Sequence, residues 1–186
     1  MIRTIKREWP LLVWCFFVFS FCGWLYELGW EIYLDHGFVN KSDINLFILP
    51  IYGFGGLALI LCLKNIVLNN NKVRVLGINI TPVVVFVATV LISTFVEYIS
   101  SCVIEDLGFG RMWDYSTTPY NLNGRIALKN SIIFGIIGMI GIYGVVPAIK
   151  HFLGRAGRRG ACISAIILLI LVAVDCILVS MGYKFI

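Results

Sequence analysis

Apolar residues in this chain come in long unbroken runs, not in alternating or amphipathic stripes. Stretches of about 20 residues with little or no charge recur about five times, each long enough to cross a hydrocarbon core of about 30 Å. They predict helices over about Leu11–Tyr33, Asn45–Leu63, Ile80–Ile104, Ile126–Ile149 and Ala161–Met181. Pro82 falls in the first turn of its run, where the N–H it lacks would be unsatisfied anyway. Arg3, Lys6 and Arg7 followed by Leu11–Tyr26 imitate a signal peptide. No small-x-small cleavage site follows, however, and Phe21 precedes Cys22 where a lipobox needs a small residue, so the segment reads as a retained helix. The expected fold is an all-α integral membrane protein, with residues 1–186 forming a single polytopic membrane domain of about five transmembrane helices.

Composition agrees: 60% of the 186 residues are hydrophobic and 13% charged, against about 45–50% and about 25% in soluble domains. Mean hydropathy is +0.93. The net charge of +5 does not call for nucleic acid as a partner, because the basic residues sit in short loops and form no docking face. Cys15, Cys22, Cys62, Cys102, Cys162 and Cys176 all fall in apolar stretches without a C-x-x-C, as expected of unpaired small hydrophobes.

The basic residues set an expected orientation. Arg3, Lys6, Arg7, Lys64, Lys72, Arg74, Lys150, Arg155, Arg158 and Arg159 share one side, and Lys41, Arg111, Arg125, Lys129 and Lys184 the other. The richer side should be cytoplasmic, which puts the N-terminus inside the cell membrane and the C-terminus outside. The run from Gly154 to Arg159 could also hold anionic lipid headgroups. Of the ten acidic residues only Glu8 then lies on the cytoplasmic side.

The remaining acids mark the candidate chemistry. A carboxylate inside a membrane helix costs about 2.5–3.5 kcal/mol on insertion scales, so it faces protein or water and has a partner. Glu27 and Glu31 lie four apart on one helical face, as do Glu97, Ser101 and Glu105, and Asp175 stands alone in the last run. Three helices can thus aim acids at one cavity, with a structural ion pair between Arg125 and Glu97 or Glu27 as the plain alternative. The stretch EDLGFGRMWDYSTTPYNLNGR, Glu105 to Arg125, has no helical or alternating pattern, and loops of that length are uncommon unless functional or disordered. Its aromatics argue for burial. It is expected to be an ordered outer-side loop between spans three and four, capping the cavity with Trp113 and Tyr115 and offering Asp114, Asn121 and Arg125 as polar groups. Arg125 beside a helix start opposes the helix dipole, which a carboxylate or an anionic ligand would relieve. Gly53, Gly55, Gly56, Gly135, Gly138, Gly141 and Gly144 suit close helix packing, and Pro50 could open the second span and expose carbonyls.

There is no P-loop, no H-E-x-x-H and no G-x-S-x-G. His36 and His151 are expected on opposite sides of the membrane, and Ser20, Ser100, Ser101 and Ser180 have no nearby histidine. No cofactor, metal site or recognisable catalytic motif is expected.

The segments GWLYELGWEIY, the stretch from Asn40 into PIYGFGG, EYISSCVIED and WDYSTTPYNLNGRI resemble the CmpB-like membrane family, ABC-transporter type IV, over roughly Phe19 to Gly144. The family includes small vertebrate transmembrane relatives. Its pattern picks out Gly23, Trp24, Glu27, Asn40, Pro50, Tyr52, Gly53, Gly55, Glu97, Tyr98, Ser101, Glu105, Trp113, Asp114, Tyr115, Asn121, Gly124 and Arg125. After Asn40 the family usually has Arg-Gly-Phe-Leu; here Lys41 to Phe47 reads KSDINLF. The resemblance implies a permease-like membrane subunit whose ATPase is a separate chain.

The leading expectation is a transporter component that binds or translocates a small ligand through an acidic, outward-facing intramembrane pocket. Glu27, Glu97, Arg125, Asp114, Trp113, Tyr115, Asn121, Ser101, Tyr52 and Asn40 are its ligand-binding or proton-carrying candidates, and Glu31, Glu105 and Asp175 its secondary ones. Membrane lipids, a separate ATPase subunit, and a homo-oligomer or hetero-complex are the expected partners. The alternatives are an intramembrane enzyme acting on a lipid or isoprenoid headgroup, with Asp114 or Glu97 as acid or base, and a structural or regulatory subunit.

Overall fold

The computed structural model describes residues 2–38, 40–42, 44–69 and 71–184, with backbone alone for residues 2–7. It is 70% helical. In chain order the elements are α1 (Ile2–Tyr33), α2 (Pro50–Cys62), α3 (Lys64–Val67), β1 (Arg74–Val75), β2 (Ile78–Asn79), α4 (Thr81–Asp106), β3 (Asn121–Leu122), β4 (Ile126–Ala127), α5 (Leu128–Ile140) and α6 (Val146–Ser180). A π-helical turn, Gly141–Val145, joins α5 to α6. Among the described residues three helical stretches are long and apolar enough to cross a membrane: Glu8–Tyr33, Thr81–Asp106 and Leu128–Ser180. α2 is apolar but only 13 residues long, about 20 Å at 1.5 Å per residue.

The helix boundaries follow local chemistry. Pro82 sits in the first turn of α4 and Pro50 begins α2, positions where proline removes no helical hydrogen bond. Asn45–Leu49, expected to be helical, is not. Ser42 Oγ donates to the Leu46 and Ile48 carbonyls at 2.6 and 3.0 Å. Leu49 N donates to the Ser20 carbonyl of α1 at 3.0 Å. The carbonyls that Pro50 frees are therefore met by a side chain of the same loop. Residues 64–80, expected to be a plain loop, form α3 and an antiparallel β1–β2 hairpin turning through Leu76 and Gly77.

Contacts divide the chain into two compact units. The first comprises Met1–Leu57 and Val145–Ile186. In it α1 packs on α6, where Ala161 and Ala165 are buried. Trp14 touches α6 twice: its Nε1 donates to Ser164 Oγ at 3.0 Å, and its ring lies 5.8 Å from that of Phe152. A straight helix would hold residues 152 and 164 about 18 Å apart, so α6 bends sharply between them. The bend is at Gly157, whose φ of 68° and ψ of 171° are non-helical and open to glycine alone without strain. α1 also crosses the start of α2 closely: a Cβ added at Gly53 or Gly56 would strike Phe16 and Ser20, or Phe19.

The second unit, Ala58–Gly144, is built on the pairing of α4 with α5. Gly135 admits Val90 and Phe86, and Gly138 admits Thr89. Leu59, Leu63, Val85 and Ile142 form its buried apolar cluster. α4 is inside out relative to a water-soluble helix. Val83, Val87, Leu91, Phe95, Ile99 and Val103, four apart, are all exposed, whereas Thr81, Thr89, Glu97 and Ser101 are buried. Such an apolar outer stripe suits hydrocarbon, not water.

Candidate functional site

Apart from Asp175, the candidate acids fall into two groups, one in each unit. In the first unit Glu27 and Glu31 share a face of α1, as their spacing requires. Glu27 Oε1 accepts a 2.6 Å hydrogen bond from Tyr52 Oη of α2, and its Oε2 lies 3.0 Å from Lys41 Nζ. The same ammonium is 2.6 Å from Glu31 Oε1, and His36 Nδ1 is 2.7 Å from Glu31 Oε2. Burial works against the Lys41 charge, yet its hydrogen bonds to Glu31 and Glu27 outweigh that and hold its pKa above the usual lysine value. Asn40 orients this loop: its Oδ1 accepts from Trp24 Nε1 at 2.9 Å and from Ser42 N at 3.0 Å. Gly23 makes room for the Tyr52 ring.

Asp175 lies apart from these acids. It is buried in α6 and accepts from Asn45 Nδ2 at 2.8 Å and Leu46 N at 3.0 Å. The carboxylate pins the loop before α2. Beside it an apolar groove of about 340 Å³ is lined by Phe17, Phe21, Phe47, Leu168 and Leu171, among others.

The second unit holds Glu97, Ser101 and Glu105 on one face of α4, met by the 107–127 connection. That connection turns on its own polar groups. Asn121 Nδ2 donates to the Thr118 and Ser116 carbonyls at 2.8 and 3.3 Å, while its Oδ1 accepts from Gly124 N at 3.0 Å. Tyr115 N donates to the Gly124 carbonyl at 2.7 Å, and Trp113 Nε1 to the Arg125 carbonyl at 2.9 Å. The antiparallel pair β3–β4 closes the turn. Gly124, at φ +69°, is packed so that a Cβ would strike Asp114 and Ser116. Asp114 accepts from the Ser116 hydroxyl and from its N–H at 2.9 Å; these bonds hold its carboxyl below the usual aspartate range.

Arg125 pairs with Glu105 and donates from Nη1 to Ser101 Oγ at 3.0 Å. The hydrogen bond to Glu105 raises its pKa further. Arg111 Nε approaches the same carboxylate at 3.5 Å. Glu97 is 7% exposed and receives neither cation. Its Oε1 accepts from Tyr115 Oη at 3.1 Å, and its Oε2 is buried with no hydrogen-bond partner among the described residues.

The chosen residues therefore divide by role. Asp114, Asn121 and Trp113 hold the connection, Tyr52 and Asn40 hold the first acid group, Ser101 and Glu105 hold Arg125, and Glu97 keeps an oxygen to offer. Sequence reasoning missed Lys41 and His36 as partners of Glu27 and Glu31, and Thr94, whose Oγ1 is also buried without a partner among the described residues. The available signal was charge: Lys41 and His36 follow α1 closely, on the side expected to hold its two acids.

Residues 14–180 match the family described as Putative ABC-transporter type IV, and the chain belongs to that family. The match extends beyond the segments quoted above at both ends. No curated protein matches the chain, and no solved structure does.

Proposed function

We propose that this chain is the membrane subunit of a transporter and binds a small ligand at Glu97, in a polar site that faces outward beneath the 107–127 connection. The supporting observation is the state of that one side chain. Glu97 is buried in a helix long and apolar enough to cross a membrane, with one oxygen held by Tyr115 and the other without a partner among the described residues. A buried polar atom in that position calls for water, an ion or a ligand. The ABC-transporter family supplies the transport context, and an ATPase would lie outside these 186 residues, which hold no P-loop. The groups at Glu27 and Asp175 are the scaffold of this reading, because each carboxylate oxygen already has a protein donor.

The helices fit about five crossings. Leu128–Ser180 is 53 residues, about 80 Å if straight, and two crossings are accommodated by the bend at Gly157. With α1 and α4 this makes four, and the fifth adds the Asn45–Leu49 segment to the roughly 20 Å of α2; the N-terminus is inside on the distribution of basic residues.

Native extraction followed by intact mass spectrometry tests the reading. A retained small molecule that is lost in Glu97→Gln, with an ATPase chain co-purifying, is the expected result. A folded Glu97→Gln protein that keeps the same molecule would sink it.

A further inference from the structure

This inference rests on Glu97 as a ligand site and adds a proton to what that site handles. Ser93, Glu97 and Ser101 follow one another at intervals of four along α4, so they share one face. On it Glu97 and Ser101 are buried and Ser93 is half-buried, and one step further along the helix Thr89 meets Gly138 of α5. If the hydroxyls served packing alone, each would return its proton to its own helix. Thr89 Oγ1 does so, to the Val85 carbonyl at 2.6 Å, and Ser93 Oγ to the Val90 carbonyl at 3.1 Å. Thr94 Oγ1 and Glu97 Oε2 do not: both are buried without a partner among the described residues. Three residues apart, they are neighbours on the helix surface. Two buried oxygens without a protein partner, about one helical turn apart in sequence, suit an ordered water where there is room for one.

Charge selects the ligand. Tyr115 bonds Glu97, Tyr98 accepts from Asn123, and Glu105 is paired with Arg125. The buried residues of α5, Ser131 and Gly135, carry no charge. Arg125 is already paired with Glu105, so no protein cation reaches Glu97 among the described residues. Water alone would leave a bare carboxylate in a membrane helix. A hard metal ion needs about six or more oxygen ligands, and this site offers one carboxylate and a few hydroxyls. A proton needs one oxygen.

We propose that Glu97 carries a proton at the buried face of α4, with the Thr94 hydroxyl ordering the water that delivers it. In the loading step a hydronium O–H bond breaks, an O–H bond forms on Oε2, and water remains; unloading is the reverse.

The test uses the full chain reconstituted in vesicles, with infrared difference spectra on a pH change and proton flux under an imposed potential. A carboxylic-acid band should appear on acidification, vanish in Glu97→Gln and shift in Thr94→Val. Flux should fall about a hundredfold in Glu97→Gln, the low end for loss of a proton-transfer group, and stay unchanged in Phe95→Leu on the opposite, exposed face. Thr94→Val serves if Glu97→Gln does not fold. Absence of the Glu97 band, flux equal in Glu97→Gln, flux that follows sodium instead of protons, or no flux above protein-free vesicles would each overturn the proposal. A small molecule retained at Glu97 in mass spectrometry would then still stand, so the two readings fail separately.

Discussion

Glu27 in the first unit and Glu97 in the second begin alike: each lies in a helix able to cross a membrane, and each accepts a tyrosine hydroxyl at one oxygen. They part at the second oxygen. Glu27 meets Lys41, which also bridges to Glu31; Glu97 meets no protein donor among the described residues. An acid with a built-in counter-charge is part of the architecture, and one without it is open to chemistry. The tyrosines do not separate the two cases. The placement of the cations does, since the second unit gives its arginine to Glu105.

The largest expected effect is on ligand retention. Glu97→Gln should cost about 2–5 kcal/mol of binding, the range for truncating a buried, hydrogen-bonded charge, and Glu27→Gln about 1 kcal/mol or less. Equal losses, measured by competition on the purified protein, would erase the contrast. Next comes Gly23→Ala, whose methyl would land on the Tyr52 ring; overpacking of this kind costs about 1–3 kcal/mol. Thermal unfolding in detergent should show it, whereas Gly144→Ala, with nothing within 4 Å, should stay within about 0.5 kcal/mol of the parent. Asp175→Ala, which removes the acceptor of Asn45 and Leu46 N, should cost about 1.5–3 kcal/mol and speed amide exchange at Leu46.

Smaller effects lie in pH. Lys41 has a raised pKa, so its contribution is full below its ordinary 10.5 and is lost as pH rises through the raised value. The melting temperature should therefore fall at strongly alkaline pH, and Lys41→Gln should remove that part of the fall. Asp114 has a lowered pKa, so its contribution is present above its ordinary 3.8 and is lost as pH falls through the lower value. Exchange of the amides from Ser116 to Gly124 should rise only in strong acid, and Asp114→Asn should show that faster exchange already at neutral pH.

Much of the fold was legible because hydrocarbon imposes a simple rule: the runs at Leu11–Tyr33 and Ile80–Ile104 end within about two residues of the helix ends at Tyr33 and Thr81–Asp106. The rule failed where polar side chains decide. Asn45–Leu49 looks apolar, but Asp175, 130 residues from Asn45, and Ser42 take its backbone and side-chain groups. Residues 150–160, read as a basic loop, are helical except at Gly157, because arginine and alanine are good helix formers. At the candidate site, spacing put Glu27 with Glu31 and Glu97 with Ser101 and Glu105. It could not say which acid Arg125 would choose, since that depends on the path of a 21-residue connection with no periodicity.

Lys41 has a further consequence as a tethered ion. Only seven residues separate it from the end of α1 at Tyr33, and groups joined by a short flexible linker see each other at about millimolar effective concentration. A free amine of the same intrinsic affinity must exceed that figure to displace it. The Glu27–Glu31 pair is thus buffered against the ionic composition of the medium, and its occupancy is fixed by chain length instead of by supply.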